Sequence, residues 1–350
     1  MKKIMTVYGT RPEAIKVAPI IKALEAADNF ESIPVVTGQH REMLDQVNNL
    51  FEITPVEDLN IMSTNQTLNG IVSKVIAGVD EIYAKYEPDA VIVQGDTSTV
   101  MGAAVAAFNR QIPVVHLAPT AESKGNLLRE DITEADIAVT GNSVIDALLE
   151  VVKKPVELSE KKLAEFLDTD EPVVLVTTHR RENLGENMQN IGRAVQALAR
   201  EYPNYRFVFP AHKNPKVREA VLPFFEGLEN VLAVEPLAYA EFTHVIDRAR
   251  FVLTDSGGVQ EEAPSLGKPV LVLRENTERP EAVDAGTVRL IGAQYENIVA
   301  EAKKLIDDQA HFDSMANAVN PYGDGKAAER TVAALEELFG LGQRKADFAV

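Results

Sequence analysis

Short apolar, β-branched runs alternate with helix-period segments along nearly the whole chain, and that alternation leaves few folds open. Strands are predicted at Ile4–Tyr8, Ile33–Thr37, Ala90–Val93 and Ile112–His116, then at Pro172–Thr177, Arg206–Pro210, Asn230–Val234, Phe251–Thr254 and Pro269–Leu273. Helices are predicted between them: from the Gly9 turn to about Ala27, over His40–Phe51, Gln66–Tyr86, Thr97–Phe108, Ala121–Glu130, Glu186–Arg200, Val217–Phe225 and Tyr239–Arg248. The clearest is Gln66–Tyr86, where Leu68, Ile71, Val72, Val75, Ile76, Val79, Ile82 and Tyr83 recur at helical spacing. Strand–helix–strand order with short turns builds parallel sheets covered by helices. The expected class is α/β, with two Rossmann-like domains and a ligand cleft between them. The polar stretch Glu150–Glu171 divides them, giving domains at 1–149 and 150–325. The last helical segment, Lys326–Phe339, carries Ala328, Val332, Leu335 and Phe339 on one face and should pack against the body of the protein.

Composition narrows the function classes. A length of 350 residues suits two domains, and 45% hydrophobic with 25% charged residues is ordinary for a globular protein. The net charge of −18 disfavours a phosphate-tracking nucleic-acid binder, so no nucleic-acid partner is expected. An anionic small ligand would need Lys and Arg concentrated locally against that field. With no cysteine there are no disulfides, thiol nucleophiles or Cys-ligated metal. Met1–Val7 is too short in its apolar part for a signal peptide, and no apolar run approaches the roughly 20 residues of a membrane span. A cytoplasmic protein without a membrane partner is expected.

The standard fingerprints are missing. No G-x-G-x-x-G follows a strand, no G-x-x-x-x-G-K-[ST] occurs, and the six histidines form no H-E-x-x-H pattern. No cofactor and no metal are therefore expected. What remains are charged and glycine-rich turns at the carboxyl ends of strands, where ligands sit in open parallel sheets. Ser256-Gly257-Gly258 ends one strand and opens a helix, a turn that can present backbone N–H groups and a helix N-terminus to an anion, or merely need glycine for its geometry. Glu262, one turn further, could accept from a ribose diol or serve as ordinary acidity near a helix start. In Gly9-Thr10-Arg11-Pro12-Glu13, Arg11 and the nearby Lys16 read either as a mouth-lining pair or as solvated surface. His179-Arg180-Arg181-Glu182 follows a strand directly, and a histidine there can bind phosphate or move a proton. Arg279 is a candidate for a charge-assisted diphosphate contact. Asp96 reads as a carboxylate at a strand end or as a helix N-cap, a place Thr97 or Ser98 also fits.

Taken together, these runs resemble the non-hydrolysing UDP-N-acetylglucosamine 2-epimerases. The matching stretches include GTRPEAIK (9–16), TGQHREMLDQV (37–47), QGDTST (94–99), THRRENLGE (178–186), PAHKNP (210–215), TDSGGVQEEAPSLGKPVLVLRENTERPEA (254–282) and NPYGDGKA (320–327). The resemblance implies a glycosyltransferase-B-like architecture, with the terminal segment 326–350 returning to the first domain. It implies interconversion of UDP-GlcNAc and UDP-ManNAc for polysaccharide supply, by elimination of UDP to 2-acetamidoglucal and re-addition, without a redox cofactor and in a homodimer. By motif, Arg11, His179, Ser256, Gly257, Gly258 and Arg279 would hold the diphosphate of UDP, Glu262 the ribose, and Phe242 would lie near the uracil, with Lys16 a further UDP-sugar-binding candidate. Asp96 and His179 would be the catalytic candidates. Gln39, His40 and His212 would match a regulatory UDP-GlcNAc site, at which Asn65 carries no charge.

One departure stands out. In the family, the strand matching Pro113–His116 continues into H-x-E-A-G-L-R and a P-E-E-x-N-R segment before the next strand begins. Here Leu117-Ala118-Pro119-Thr120 follows His116 at once. Both glutamates assigned to acid/base work in the family lie in the missing piece, and Glu122 and Glu130 sit on a later helix. A shortened first domain is expected, with Pro113–Pro119 as one strand, apolar surface left bare, and proton transfer weakened. A UDP-sugar binder with little turnover and a glycosyltransferase of the same fold are the rival readings.

Overall fold

The structure, a computed structural model, describes residues 1–38, 41–63, 66–117 and 120–349. Contacts divide the chain into two compact units, Met1–Leu149 with Gly323–Ala349, and Glu150–Tyr322. Their strands are β1 (Lys2–Tyr8), β2 (Phe30–Val36), β3 (Glu57–Asp58), β4 (Ala90–Gln94) and β5 (Val114–Leu117) in the first, and β6 (Val173–Thr177), β7 (Arg206–Pro210), β8 (Val231–Val234), β9 (Ala249–Thr254), β10 (Val270–Val272) and β11 (Val288–Leu290) in the second. Every pairing is parallel, in the orders β3-β2-β1-β4-β5 and β11-β10-β9-β6-β7-β8. The second is the six-strand Rossmann order, three strands wound out to each side of the β6/β9 boundary.

In the first unit, helices Leu68–Tyr86 and Ser98–Asn109 cover one face of the sheet, over Met5, Val7, Val91 and Val93. Their contact is close because Gly102 lies on it: a Cβ there would fall 2.7 Å from Val75 Cγ1. Thr67 caps the first of these helices, accepting from Gly70 N–H at 3.1 Å. Ile71, Val75, Val79, Ile82 and Tyr83 are buried as their spacing predicts, whereas Leu68 is 70% exposed because it starts the helix beyond the sheet's cover. The opposite face packs on helix Arg11–Glu25 and on the terminal helix Ala327–Leu338, whose Ala328 and Leu335 join Ile4, Ile20 and Ile92 in one core. Beyond that helix the tail crosses the segment before Val139: Arg344 donates to Ile137 O (2.8 Å) and Phe348 N–H to Val139 O (2.7 Å).

The second unit has a core of Val174, Phe207, Phe251 and Leu271 under helices Glu186–Glu201 and Tyr295–Asp307. The helix predicted at Val217–Phe225 is an α-helix over Pro215–Val221 followed by a 3₁₀ turn, Leu222–Phe225, where Pro223 cannot supply an i→i−4 bond.

Among the described residues, β5 forms one edge of the first sheet and β3 the other. β5 covers only Val114–Leu117, and Ala118 and Pro119 lie outside the described residues. Val114 is half bare there, and helix Ser98–Asn109 beside it exposes Met101 (59%), Val105 (38%) and Phe108 (78%), one stripe at helical spacing. Among the described residues no helix is long and apolar enough to cross a membrane.

Candidate functional site

The second sheet reverses direction of winding between β6 and β9, and the loops leaving those strands are Thr178–Glu182 and Asp255–Gly258. A ligand crevice is expected at that switch point. The two loops are tied by Asp255, which is fully buried. Its carboxylate accepts from Thr178 Oγ1 (2.8 Å), the backbone N–H of His179 (3.0 Å) and of Arg180 (2.9 Å), and Asn183 Nδ2 (3.0 Å). His179 Nδ1 lies 3.2 Å from Asp255 Oδ1. Burial pushes the Asp255 carboxyl up, but the bonds from His179, Arg180 and Thr178 outweigh it and hold it below the usual carboxylate range.

Cationic groups gather on the same turn. A Cβ built on Gly257 would meet Arg279 Cζ at 3.2 Å and Arg180 Nη2 at 3.5 Å, so both guanidinium groups lie against this buried glycine. Arg279 donates through Nε to Glu261 Oε1 at 2.8 Å. Gly258 is exposed, and a Cβ there would meet only Glu262 Oε1 at 3.7 Å and Ser256 Oγ at 4.0 Å. The helix that the turn opens, Gly257–Glu262, has six residues before it tightens into a 3₁₀ turn, Ala263–Leu266. That is too short to supply much dipole, which corrects the weight placed on it from sequence: the cationic groups at this turn are the guanidinium groups of Arg279 and Arg180. Ser256 and Glu262 are half-buried on this turn and helix.

His212, on the loop after β7, stacks on His179 with centroids 5.7 Å apart and planes at 21°. Its Nδ1 accepts the Asn214 N–H at 3.1 Å. Burial, and next the charge of His179, push the pKa of His212 down. Phe242 is half-buried on helix Tyr239–Arg248, among the residues that follow β8.

The first sheet has its own switch point between β1 and β4, and the loops there are Gly9-Thr10 and Gly95-Asp96-Thr97. Glu13, 2% exposed, fixes the first loop by accepting from Gly9 N–H (2.7 Å) and Thr10 N–H (3.0 Å). Gly9 admits no side chain, since a Cβ would fall 2.0 Å from Thr37 Oγ1 and 2.4 Å from Thr99 Oγ1. Arg11 and Lys16 are half-buried on the helix that follows. Thr97, not Asp96, caps the helix Ser98–Asn109, accepting from Val100 N–H at 3.3 Å. Asp96 is therefore an exposed carboxylate at a strand end with no capping duty. His116 Nε2 reaches Gly95 O at 2.8 Å and fixes the ends of β4 and β5 together.

Of the residues singled out by sequence, His179, His212, Ser256, Gly257, Gly258, Glu262 and Arg279 gather at or beside the second switch point; Arg11, Lys16 and Asp96 flank the first. Gln39, His40 and Asn65 lie outside the described residues. Asp255 and Arg180 were missed. Their signal was their place next to named residues at two strand ends, which becomes informative only once β6 and β9 are known to be neighbours.

Two parallel-sheet α/β units of this build define a protein of the glycosyltransferase-B-like class. The sequence profile of the UDP-N-acetylglucosamine 2-epimerase family matches residues 22–118 and 115–336. The UDP-N-acetylglucosamine 2-epimerase of Salmonella typhimurium is 45% identical over 369 aligned positions, covering 95% of this chain and 98% of that protein. The Neisseria meningitidis UDP-GlcNAc 2-epimerase, solved with UDP-GlcNAc bound, is 42% identical with a TM-score of 0.84, covering 96% of this chain and 100% of that one. A Staphylococcus aureus structure solved with UDP is 42% identical with a TM-score of 0.87, over 100% of both chains. The chain belongs to the UDP-N-acetylglucosamine 2-epimerase family. An alignment of 369 positions against 350 residues leaves at least 19 positions of the Salmonella protein (369 − 350) without a counterpart here. The two profile matches meet at 115–118, the place of the departure seen in the sequence.

Proposed function

We propose that the chain is a non-hydrolysing UDP-GlcNAc 2-epimerase that interconverts UDP-GlcNAc and UDP-ManNAc. The carrying observation is the placement of Arg279 and Arg180 against Gly257 at a Rossmann switch point, with His179 held beside that turn by Asp255, in a family whose relatives bind UDP-GlcNAc and UDP. C2 of the sugar is not adjacent to a carbonyl, so its proton is too weakly acidic for simple exchange. Elimination avoids that obstacle. A base takes the C2 proton, the C1–O bond breaks with its electron pair leaving on the β-phosphate oxygen of UDP, and a C1=C2 double bond forms, giving 2-acetamidoglucal. Return of a proton to the other face and re-addition of UDP at C1 complete the epimerisation. Negative charge builds on the departing diphosphate, which Ser256, Gly257, Gly258, Arg279, His179 and Arg11 would stabilise. Glu262 would hold the ribose, Phe242 would stand near the uracil, and Lys16 would add charge at the first unit's mouth.

Proton transfer falls to Asp96, the exposed carboxylate at the end of β4. Each positioned acid or base is typically worth roughly 10²–10⁴-fold, so the absent family glutamates predict slow turnover with UDP binding retained. Proton NMR of UDP-GlcNAc incubated with the protein in D₂O tests this directly. Deuterium at C2 together with UDP-ManNAc formation is the expected result. Retained UDP binding with no exchange at C2 would make the chain a UDP-sugar binder instead, and transfer to an acceptor without epimer would make it a glycosyltransferase.

The same reading places the protein in the cytoplasm, where its nucleotide-sugar would feed polysaccharide synthesis, and makes it a homodimer. The bare stripe of Met101, Val105 and Phe108 supports the dimer, because an exposed apolar helix face is what a second copy would cover. His212 stands as a regulatory-site candidate beside His179, with Gln39 and His40.

A further inference from the structure

Arg279 is held at both ends by adjacent residues of one short helix, Gly257–Glu262. Its guanidinium donates through Nε to Glu261 Oε1 at 2.8 Å, with Nη2 2.7 Å from the same oxygen. Its backbone N–H donates to Thr277 Oγ1 at 3.1 Å. That hydroxyl gives its own proton to Gln260 Oε1 at 2.7 Å. Gln260 Nε2 then donates to Ser256 O at 3.2 Å, on the glycine turn itself. Gln260 is fully buried, and both ends of its amide are used. Glutamine suits this place because one end must accept from a hydroxyl and the other must donate to a carbonyl. An ionised glutamate could only accept, and an apolar side chain could do neither.

The segment carrying Arg279 runs over the surface, with Glu275, Asn276 and Glu278 exposed and Thr277 half-buried among them. Arg274 anchors it where it leaves β10, through Glu182 and Glu278. Thr277 anchors its far end, two residues before Arg279. Glu261 by itself fixes only the tip of a long, rotatable side chain, which leaves the backbone behind it free to move. We infer that Gln260 is a positioning residue of the diphosphate site: through Thr277 it ties the Arg279 backbone to the Ser256-Gly257-Gly258 turn and so fixes the guanidinium against Gly257. The contact it sets is close, since a Cβ on Gly257 would meet Arg279 Cζ at 3.2 Å. The relay runs in one direction, from Arg279 N–H through Thr277 and Gln260 to Ser256 O, so each bond polarises the next. Resting on the diphosphate reading above, it orders the cation before the ligand arrives, which lowers the cost of binding. Gln260 touches no ligand in this scheme.

The test is calorimetry of UDP with the full-length protein. Thr277→Val keeps the shape of the side chain but removes the hydroxyl, and should weaken binding roughly fivefold or more. Thr277→Ser keeps the hydroxyl and should bind within about twofold of the wild type. In an Arg279→Ala background Thr277→Val should cause no further loss, because the tie then holds nothing that meets the ligand. An equal loss in both backgrounds would reduce Thr277 to a part of the fold and overturn the inference, as would wild-type affinity in Thr277→Val. Gln260→Met should repeat the loss, and combined with Thr277→Val should lose less than the product of the two single effects; full additivity would break the relay. Amide exchange of the unliganded protein supplies a second readout. Gln260→Met should speed exchange at Arg279 although Thr277 is intact, and unchanged exchange there would count against the tie. Should Gln260→Met lose its near-UV circular dichroism, the Thr277 series decides alone. Absence of UDP binding by the wild type would remove the diphosphate reading, and exchange at Arg279 would then judge the tie.

Discussion

Arg279 and Gly258 separate charge from space at one turn. Arg279 lies against Gly257 and is paired with Glu261, so its guanidinium is already oriented before any ligand arrives. Arg279→Ala should weaken UDP binding by about 1.5–3 kcal/mol, the usual worth of a hydrogen bond to a charged group, or roughly ten- to a hundredfold in Kd. Gly258 is open to solvent, so a valine there should fold normally and block only what the turn faces. Unchanged calorimetric affinity in both variants would remove the phosphate from this turn. Single residues were legible where chemistry and strand position coincided, as for His179, Gly257 and Arg279. Asp255 was not, because a carboxylate beside Ser-Gly-Gly reads as part of the turn. Its partners, Thr178, His179, Arg180 and Asn183, lie more than 70 positions away in the chain.

At the scale of elements, the segment after β10 is held by charge. Arg274, nearly buried, forms a paired contact with Glu278, Nη1 to Oε2 at 2.8 Å and Nη2 to Oε1 at 2.9 Å, and also bonds Glu182. The Arg274 hydrogen bonds pull the Glu278 pKa from 4.5 down to about 2. A depressed carboxyl stabilises the fold fully above its unfolded pKa and loses that contribution as pH falls through the folded value. The segment should thus keep its support at neutral pH and lose it between pH 4.5 and about 2. Acid unfolding of Glu278→Gln, followed by circular dichroism, should be less steep in that window; an identical profile would show the pair to be idle. Long periodic helices such as Leu68–Tyr86 and the apolar strands β4, β6 and β9 were readable because propensity and burial agree there. The two-residue β3 and the three-residue β11 were not, since their strand character comes from pairing with β2 and β10.

For the whole molecule, the question is what covers the stripe on helix Ser98–Asn109. Met101→Glu with Phe108→Glu should convert the proposed homodimer to a monomer in light scattering, with little change in Tm because both side chains are 59% and 78% exposed. An unchanged mass would move the interface elsewhere. The shortening after His116 was legible as a break in a motif, and the profile match divides at the same residues. How the edge strand ends was not legible, because nothing in the sequence states what packs on β5.

The division of the chain also sets an order of assembly. Glu150–Tyr322 is continuous, whereas the first unit needs Gly323–Ala349 to finish its core, with Ala328 and Leu335 filling the face under β1 and β4. On the ribosome, the earlier residues of the first unit must wait for Gly323–Ala349, and the second unit can close while the first still shows Ile4, Ile20 and Ile92 to solvent. The vulnerable interval in this protein's synthesis belongs to the first unit, and it ends only when helix Ala327–Leu338 emerges.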